Sequence, residues 1–306
     1  MTAPASDGSA ASAVQLGMLK VIQNVTADVA QLADGPSGGE LRKWRNNLRG
    51  LSVASQLVEE QARAIGVPDT WITVTKNAGN TGARWSGGEP LPPAAAVDRE
   101  QLLAHLREQV ALLYDMTATH TVCVDRFGAV PGDLADRFHE HLRLQWARVA
   151  MVAIALEVTE TEVAGWWFTS SDAWGSVLGS TRDQAASQLL QRWRTHTKTT
   201  AVSDAHVRVE ALNMAGISLS DAATHQLPPR PGELIKAAET AWLTGARSGG
   251  MGIASDLGTD GATAISDVVD AALPGSTTRT WQGEDLGGDT THDTARQPSP
   301  IADPGP

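Results

Sequence analysis

A single cysteine in 306 residues excludes a disulfide framework and any zinc site built from several thiolates. Cys123 lies in Thr121-Val122-Cys123-Val124 with no His beside it, the setting of a small buried hydrophobe rather than of a nucleophile. Long apolar runs are missing too. The richest, residues 149–158, falls far short of the ~20 residues that span a bilayer. The first ten residues lack the basic start and apolar core of a secretory signal, so the expectation is a cytoplasmic chain that enters no membrane. The common catalytic signatures are also absent. There is no Gly-x-x-x-x-Gly-Lys-Ser/Thr loop, no His-Glu-x-x-His, no Gly-x-Ser-x-Gly and no Cys-x-x-Cys. The reading leans away from an enzyme and assigns no catalytic residue, cofactor or metal. His139 and His141 do form a His-x-His pair, but two positions apart on a helix they point about 200° from each other and cannot share an ion.

Aromatic residues are few and uneven, with ten Trp against three Phe and one Tyr. Trp is large and amphipathic, so these read as helix-packing anchors whose indole N–H groups sit near polar partners. The charge is uneven as well. From Asp256 to the end, nine Asp and Glu face Arg279 and Arg296, a net of −7 out of −11 for the whole chain. The acidity therefore belongs largely to the tail and says little about the folded body. The Ala- and Thr-rich composition with little Lys suggests a GC-rich coding genome, such as that of an actinobacterium or one of its phages or plasmids.

The clearest pattern is a pair of helical stripes. One steps from Val14 through Met18, Val21 and Val25 to Leu32. The other steps from Leu41 through Trp44, Leu48, Leu51, Val58 and Ala62 to Ile65, with Ser55 its single polar member. Steps of three and four mark helices packed along their length. Gly35-Pro36-Ser37-Gly38-Gly39 breaks the pattern between them. The pair predicts an antiparallel helical hairpin over about 13–66, behind a disordered start at 1–12. Residues 69–76 carry both helix and strand signals, and close a first region at 76. Gly- and Pro-rich residues 77–97 form a linker loop whose Trp85 folds back over a hairpin end.

A helical domain over 98–250 follows. Its first helix runs from Asp98 to Gly128 on a stripe of Leu103, Leu106, Val110, Leu113, Val124 and Phe127, with Thr117 and His120 in the same line. The next runs from Asp133 to Glu157 and turns apolar on every side after Val149, the mark of a helix buried among others. Thr159 and Glu162 form a capping box ahead of a short helix from Val163 to Trp167. Ser180-Thr181-Arg182-Asp183 reads as a further N-cap, opening a helix through Leu189 and Trp193, and 201–246 hold one or two more. Residues 251–306 read as a largely disordered acidic tail, with one weak amphipathic helix at 262–273. The fold class is all-α.

Two functional expectations follow. The first is a non-enzymatic interaction or assembly protein that meets a protein partner or its own copy along Trp44, Leu48, Leu51, Ser55 and Val58. The alternative is a helix-turn-helix-like DNA-associated regulator. Ala62, Ile65, Gly66, Val67 and Ile72 fit the turn of such a motif, and Arg42, Lys43, Arg45, Arg49, Lys76, Asn77 and Arg84 supply a patch for phosphates and bases. The acidic tail would then be autoinhibitory. A second helix-turn-helix pattern over Val152–Trp166 has a recognition helix, Glu160–Trp167, without Arg, Lys, Asn or Gln to read a base edge. A basic cluster at Arg192-Trp193-Arg194 suits a helix C-terminus more than nucleic acid.

Overall fold

The first helix is buried from several sides, and this arrangement sets the order of the others. In the computed structural model, which describes residues 11–33, 35, 41–88, 90–128, 132–168, 170–220 and 227–248, the chain is all-helical with no strand among those residues. The helices are α1 Ala13–Ala33, α2 Leu41–Ala64, α3 Asp69–Asn80, α4 Arg99–Phe127, α5 Gly132–Ala155, α6 Ser171–Arg182, α7 Ala186–Thr197, α8 Thr199–Met214 and α9 Pro231–Ser248. The expected helix at 262–273 and the expected disorder of 1–10 and of the tail from 251 lie outside the described residues.

The predicted hairpin forms. At its closed end the Trp44 indole Nε1 donates to the Leu32 carbonyl at 2.7 Å. At its open end Gln15 Nε2 donates to the Gly66 carbonyl at 2.8 Å, so α1 and α2 run antiparallel. The hairpin does not stand alone. α1 also buries Leu19, Ile22 and Thr26, and it packs against α3 and α8 as well as α2. Two glycines allow this. A methyl group on Gly79 of α3 would sit 2.7 Å from both the Gln23 carbonyl oxygen and Thr26 Cβ, and one on Gly17 would sit 2.3 Å from the Ala215 carbonyl oxygen.

Residues 69–80 are a helix, which resolves the mixed signal there. Trp71, Ile72, Thr75 and Gly79 are its buried set, spaced by three and four. Residues 81–88 and 90–98 form a strap without regular structure. Gln23 Nε2 donates to the Ala83 carbonyl, the Trp85 amide donates to Asn24 Oδ1, and Trp71 Nε1 donates to the Pro92 carbonyl at 2.7 Å. Trp85 packs against the core, over α1.

α4 starts where the sequence placed it. The Asp98 carboxylate accepts from the amides of Glu100 and Gln101, and the helix stops at Gly128, which takes a positive φ of 80°. Leu106, Val110, Leu113, Thr117 and His120 are buried, while Val124 at the far end is 39% exposed. Cys123 is buried against the Leu189 carbonyl of α7, and that burial pushes its thiol up to about 12. Every residue of α5 from Ala147 to Ala153 is buried, and the one charge among them is Arg148. The turn after α5 passes through Glu157, the only described non-glycine residue with positive φ, at 48°. The Val158 amide reaches back to the Ala153 carbonyl, so Glu157 does the work usually given to glycine in a left-handed helix stop.

Two local expectations are corrected. The capping box exists, with the Thr159 amide donating to Glu162 Oε2 at 2.8 Å and the Glu162 amide to Thr159 Oγ1 at 3.4 Å. Residues 163–167 then form turns rather than a helix, because Gly165 takes φ +79° and Arg99 on α4 draws the Glu162 carboxylate at 2.7 and 3.0 Å. Ser180–Asp183 closes a helix instead of opening one. Both Ser180 and Thr181 donate back to the Val177 carbonyl at the end of α6, and α7 starts at Ala186 without a side-chain cap.

A close approach at Gly79 and open space at Gly50 predict opposite results from the same substitution. Gly79→Ala should cost about 1–3 kcal/mol through overpacking against α1. Gly50→Ala, in an exposed turn of α2 with open space around it, should gain about 0.5–1 kcal/mol. Urea unfolding of both variants checks the pair.

Candidate functional site

The hairpin surface divides along its length. From Leu41 to Gln56 no residue of α2 is buried, whereas Leu57, Val58 and Glu59 are. Trp44, Leu48, Leu51 and Ser55 are half-buried, and Val58 is 3% exposed. Leu41 and Val53 lie exposed beside them at 54% and 39%. The outer face carries Arg42, Lys43, Arg45 and Arg49, all exposed, and no acidic residue occurs between Leu41 and Val58. Arg42, Arg45 and Arg49 form no ion pair with any described residue.

The remaining members of the basic set sit elsewhere. Lys76 Nζ is 2.7 Å from Glu59 Oε1, and Arg84 pairs with Asp28 on α1. Asn77 is exposed on α3. Glu59 lies fifteen positions beyond Trp44, roughly 22 Å along α2. The structure thus places the seven residues in three pieces, and the charges of Lys76 and Arg84 are matched by carboxylates. In the cluster on α7, Arg192 pairs with Asp115, and Trp193 is 5% exposed and stacked over Phe138. Its ring is not free to stack on a base.

The histidines gather around Phe138. His120 of α4 stacks on that ring at 4.5 Å, His139 meets His120 edge-on, and His141 Nδ1 lies 2.8 Å from the His196 carbonyl oxygen. His139 and His141 therefore face different neighbours, as their spacing requires. Among the described residues no three His, Cys, Asp or Glu gather as a metal site. Burial, helped by His139, pulls His120 down to about 4, and burial with His141 close by does the same to His196.

A second polar centre had no signal in the sequence. Arg148 of α5 is 8% exposed. Its Nε donates to Gln61 Oε1 of α2 at 2.8 Å, and its Nη1 donates to Gln109 Oε1 of α4 at 2.7 Å. Gln145, one turn before it, donates to the same Gln109 oxygen at 3.2 Å. No carboxylate of the described residues pairs with this guanidinium. Desolvation, aided by repulsion from Arg208, pulls it down to about 10, with Glu60 opposing. It stays charged at neutral pH. The centre opens into a cavity of about 830 Å³ between α2, α3, α4, α5 and α8. Gln61 and Gln109 lie 87 and 39 residues from Arg148, so no local spacing announces the group.

The pH dependence of stability should show two windows. His120 and His196 are held neutral when folded but take protons near 6.5 when unfolded. Stability from this source is full above about 6.5 and falls as pH drops toward 4. Glu162, held near 2 by Arg99 and the Thr159 amide, acts later: its contribution is present above about 4.5 and is lost between there and 2. Urea midpoints measured from pH 7 to 3 should decline first through the histidine window, and His120→Asn with His196→Asn should flatten that first decline alone. No protein-family model, curated protein or solved structure matches the chain, so the chemistry of these sites rests on their own side chains.

Proposed function

We propose that the protein is a helical interaction protein that docks an acidic partner protein along the first half of α2. The observation that supports this is the strip from Leu41 to Gln56. It has half-buried apolar residues at Trp44, Leu48 and Leu51, four exposed cations and no carboxylate of its own sequence. Half-exposed apolar side chains beside Arg42, Arg45 and Arg49, none of which forms an ion pair with a described residue, suit a partner that brings apolar contact and the opposite charge. A second copy of this strip would bring like charges together, which disfavours self-pairing there.

Duplex DNA, the other polyanion, is an outcome of the same test. Lys76 and Arg84 are already paired, and Trp193 is buried. What remains for phosphate contact is Arg42, Arg45 and Arg49 of α2.

A photo-crosslinking side chain placed at Arg45 should capture an acidic protein in cells that make this chain. The same side chain at Thr240, on the exposed face of α9, should not. Arg42→Glu with Arg49→Glu should reduce capture by about tenfold or more, from reversal of exposed charges facing charge. Equal capture at both positions would overturn the proposal. So would duplex DNA retained by the intact chain at ~50 mM salt and released by the charge reversal, which would put the DNA reading in its place.

A further inference from the structure

We infer that the cavity above Arg148 is a binding site for a small organic carboxylate with an apolar body, its carboxylate on the Arg148 guanidinium. The inference is independent of the α2 surface. It begins with an accounting of the charges that line the cavity. Arg208 Nη2 is 3.0 Å from Glu60 Oε2, and Arg63 Nε is 2.8 Å from Asp69 Oδ1. Asp98 serves as the cap of α4. His105 faces Glu108 at the surface, and His141 is engaged by the His196 carbonyl and lowered by burial. Of the three arginines that line the cavity, Arg148 alone has no carboxylate partner among the described residues.

Its hydrogen bonds say where the missing partner belongs. Nε and Nη1 are taken by two glutamine oxygens, which are neutral. Nη2 has no partner among the described residues, and it is not among the partnerless side-chain atoms sealed from solvent. That nitrogen therefore opens to the cavity that Arg148 lines. A buried cation without a counter-charge is costly, and an anion delivered from outside removes the cost. Arg208 adds to the preference. Its Nε is sealed and without a partner, and its charge repels that of Arg148. A bound carboxylate screens the pair.

The rest of the ligand is set by the walls. Val67, Val97, Leu102, Leu112 and Ala205 are apolar and come from the α2–α3 turn, the strap, α4 and α8. Val97 and Leu112 are 42% and 36% exposed, so the wall near them is uncovered. About 830 Å³ falls within the range of cavities that enclose metabolite-sized molecules. One unmatched cation fits a monoanion better than a phosphate dianion.

Isothermal titration of the full chain with octanoate tests this, with octanol and octylammonium as neutral and cationic probes of equal length. Octanoate should bind, and octanol and octylammonium should bind at least about tenfold more weakly. Arg148→Met should weaken octanoate by about 10- to 100-fold, the loss of a charge-assisted hydrogen bond. Because that side chain is buried, a second variant guards against misfolding. Leu112→Glu, at the exposed wall, should leave the urea midpoint within error while weakening octanoate and not octanol. No heat with octanoate up to ~5 mM would overturn the inference. Equal affinity for octanoate and octanol, unchanged octanoate affinity in folded Arg148→Met, or preference for octyl phosphate over octanoate would do the same.

Discussion

A guanidinium with no counter-ion, buried where three helices meet, is the constraint on which much of this architecture depends. Removing such a charge from water costs several kcal/mol, and here two amide oxygens meet part of that cost. They come from α2 and α4, while the charge comes from α5. The three helices are thereby held to one register, since shifting α5 by a turn of about 5.4 Å would break both bonds, and shifting α2 or α4 would break the one it supplies. Gln61 ties the hairpin to the helices that follow it in sequence. The hairpin also leans on α3 and α8 through the Gly79 and Gly17 contacts. The core is continuous from Met18 in α1 to Ala241 in α9.

What could be read from the sequence follows the length of its periodic segments. α1, α2, α4 and α5 each repeat an apolar step over four or more turns, and each appears where its stripe predicts. α6 leaves little trace in the sequence because Gly175 and Gly179 lower its helix propensity and only Trp174, Leu178 and Thr181 mark its buried side. Residues 163–167 were misread for a different reason. Their capping box is real, but Glu162 also holds a long-range bond to Arg99, and the chain turns at Gly165. Local chemistry was read correctly, and a contact 63 residues away decided what followed.

The site residues were legible to differing degrees. The cations of α2 could be listed from the sequence, but their separation from Lys76 and Arg84 could not. That depends on Glu59 and Asp28, which local spacing does not pair with them. Arg148 was hidden by its surroundings. It stands beside Val149 at the edge of the most apolar run in the chain, where an isolated charge reads as the solvated edge of a stripe. Only the placement of Gln61 and Gln109 shows it facing inward.

Cys123 packs behind α7 with its thiol held protonated at neutral pH. Thiolates, not thiols, attack alkylating reagents. The native chain thus offers maleimides almost no background, and a cysteine introduced at any exposed position becomes a uniquely addressable handle. Spectroscopic probes can be attached singly to either the hairpin or the strap without first removing the native sulfur.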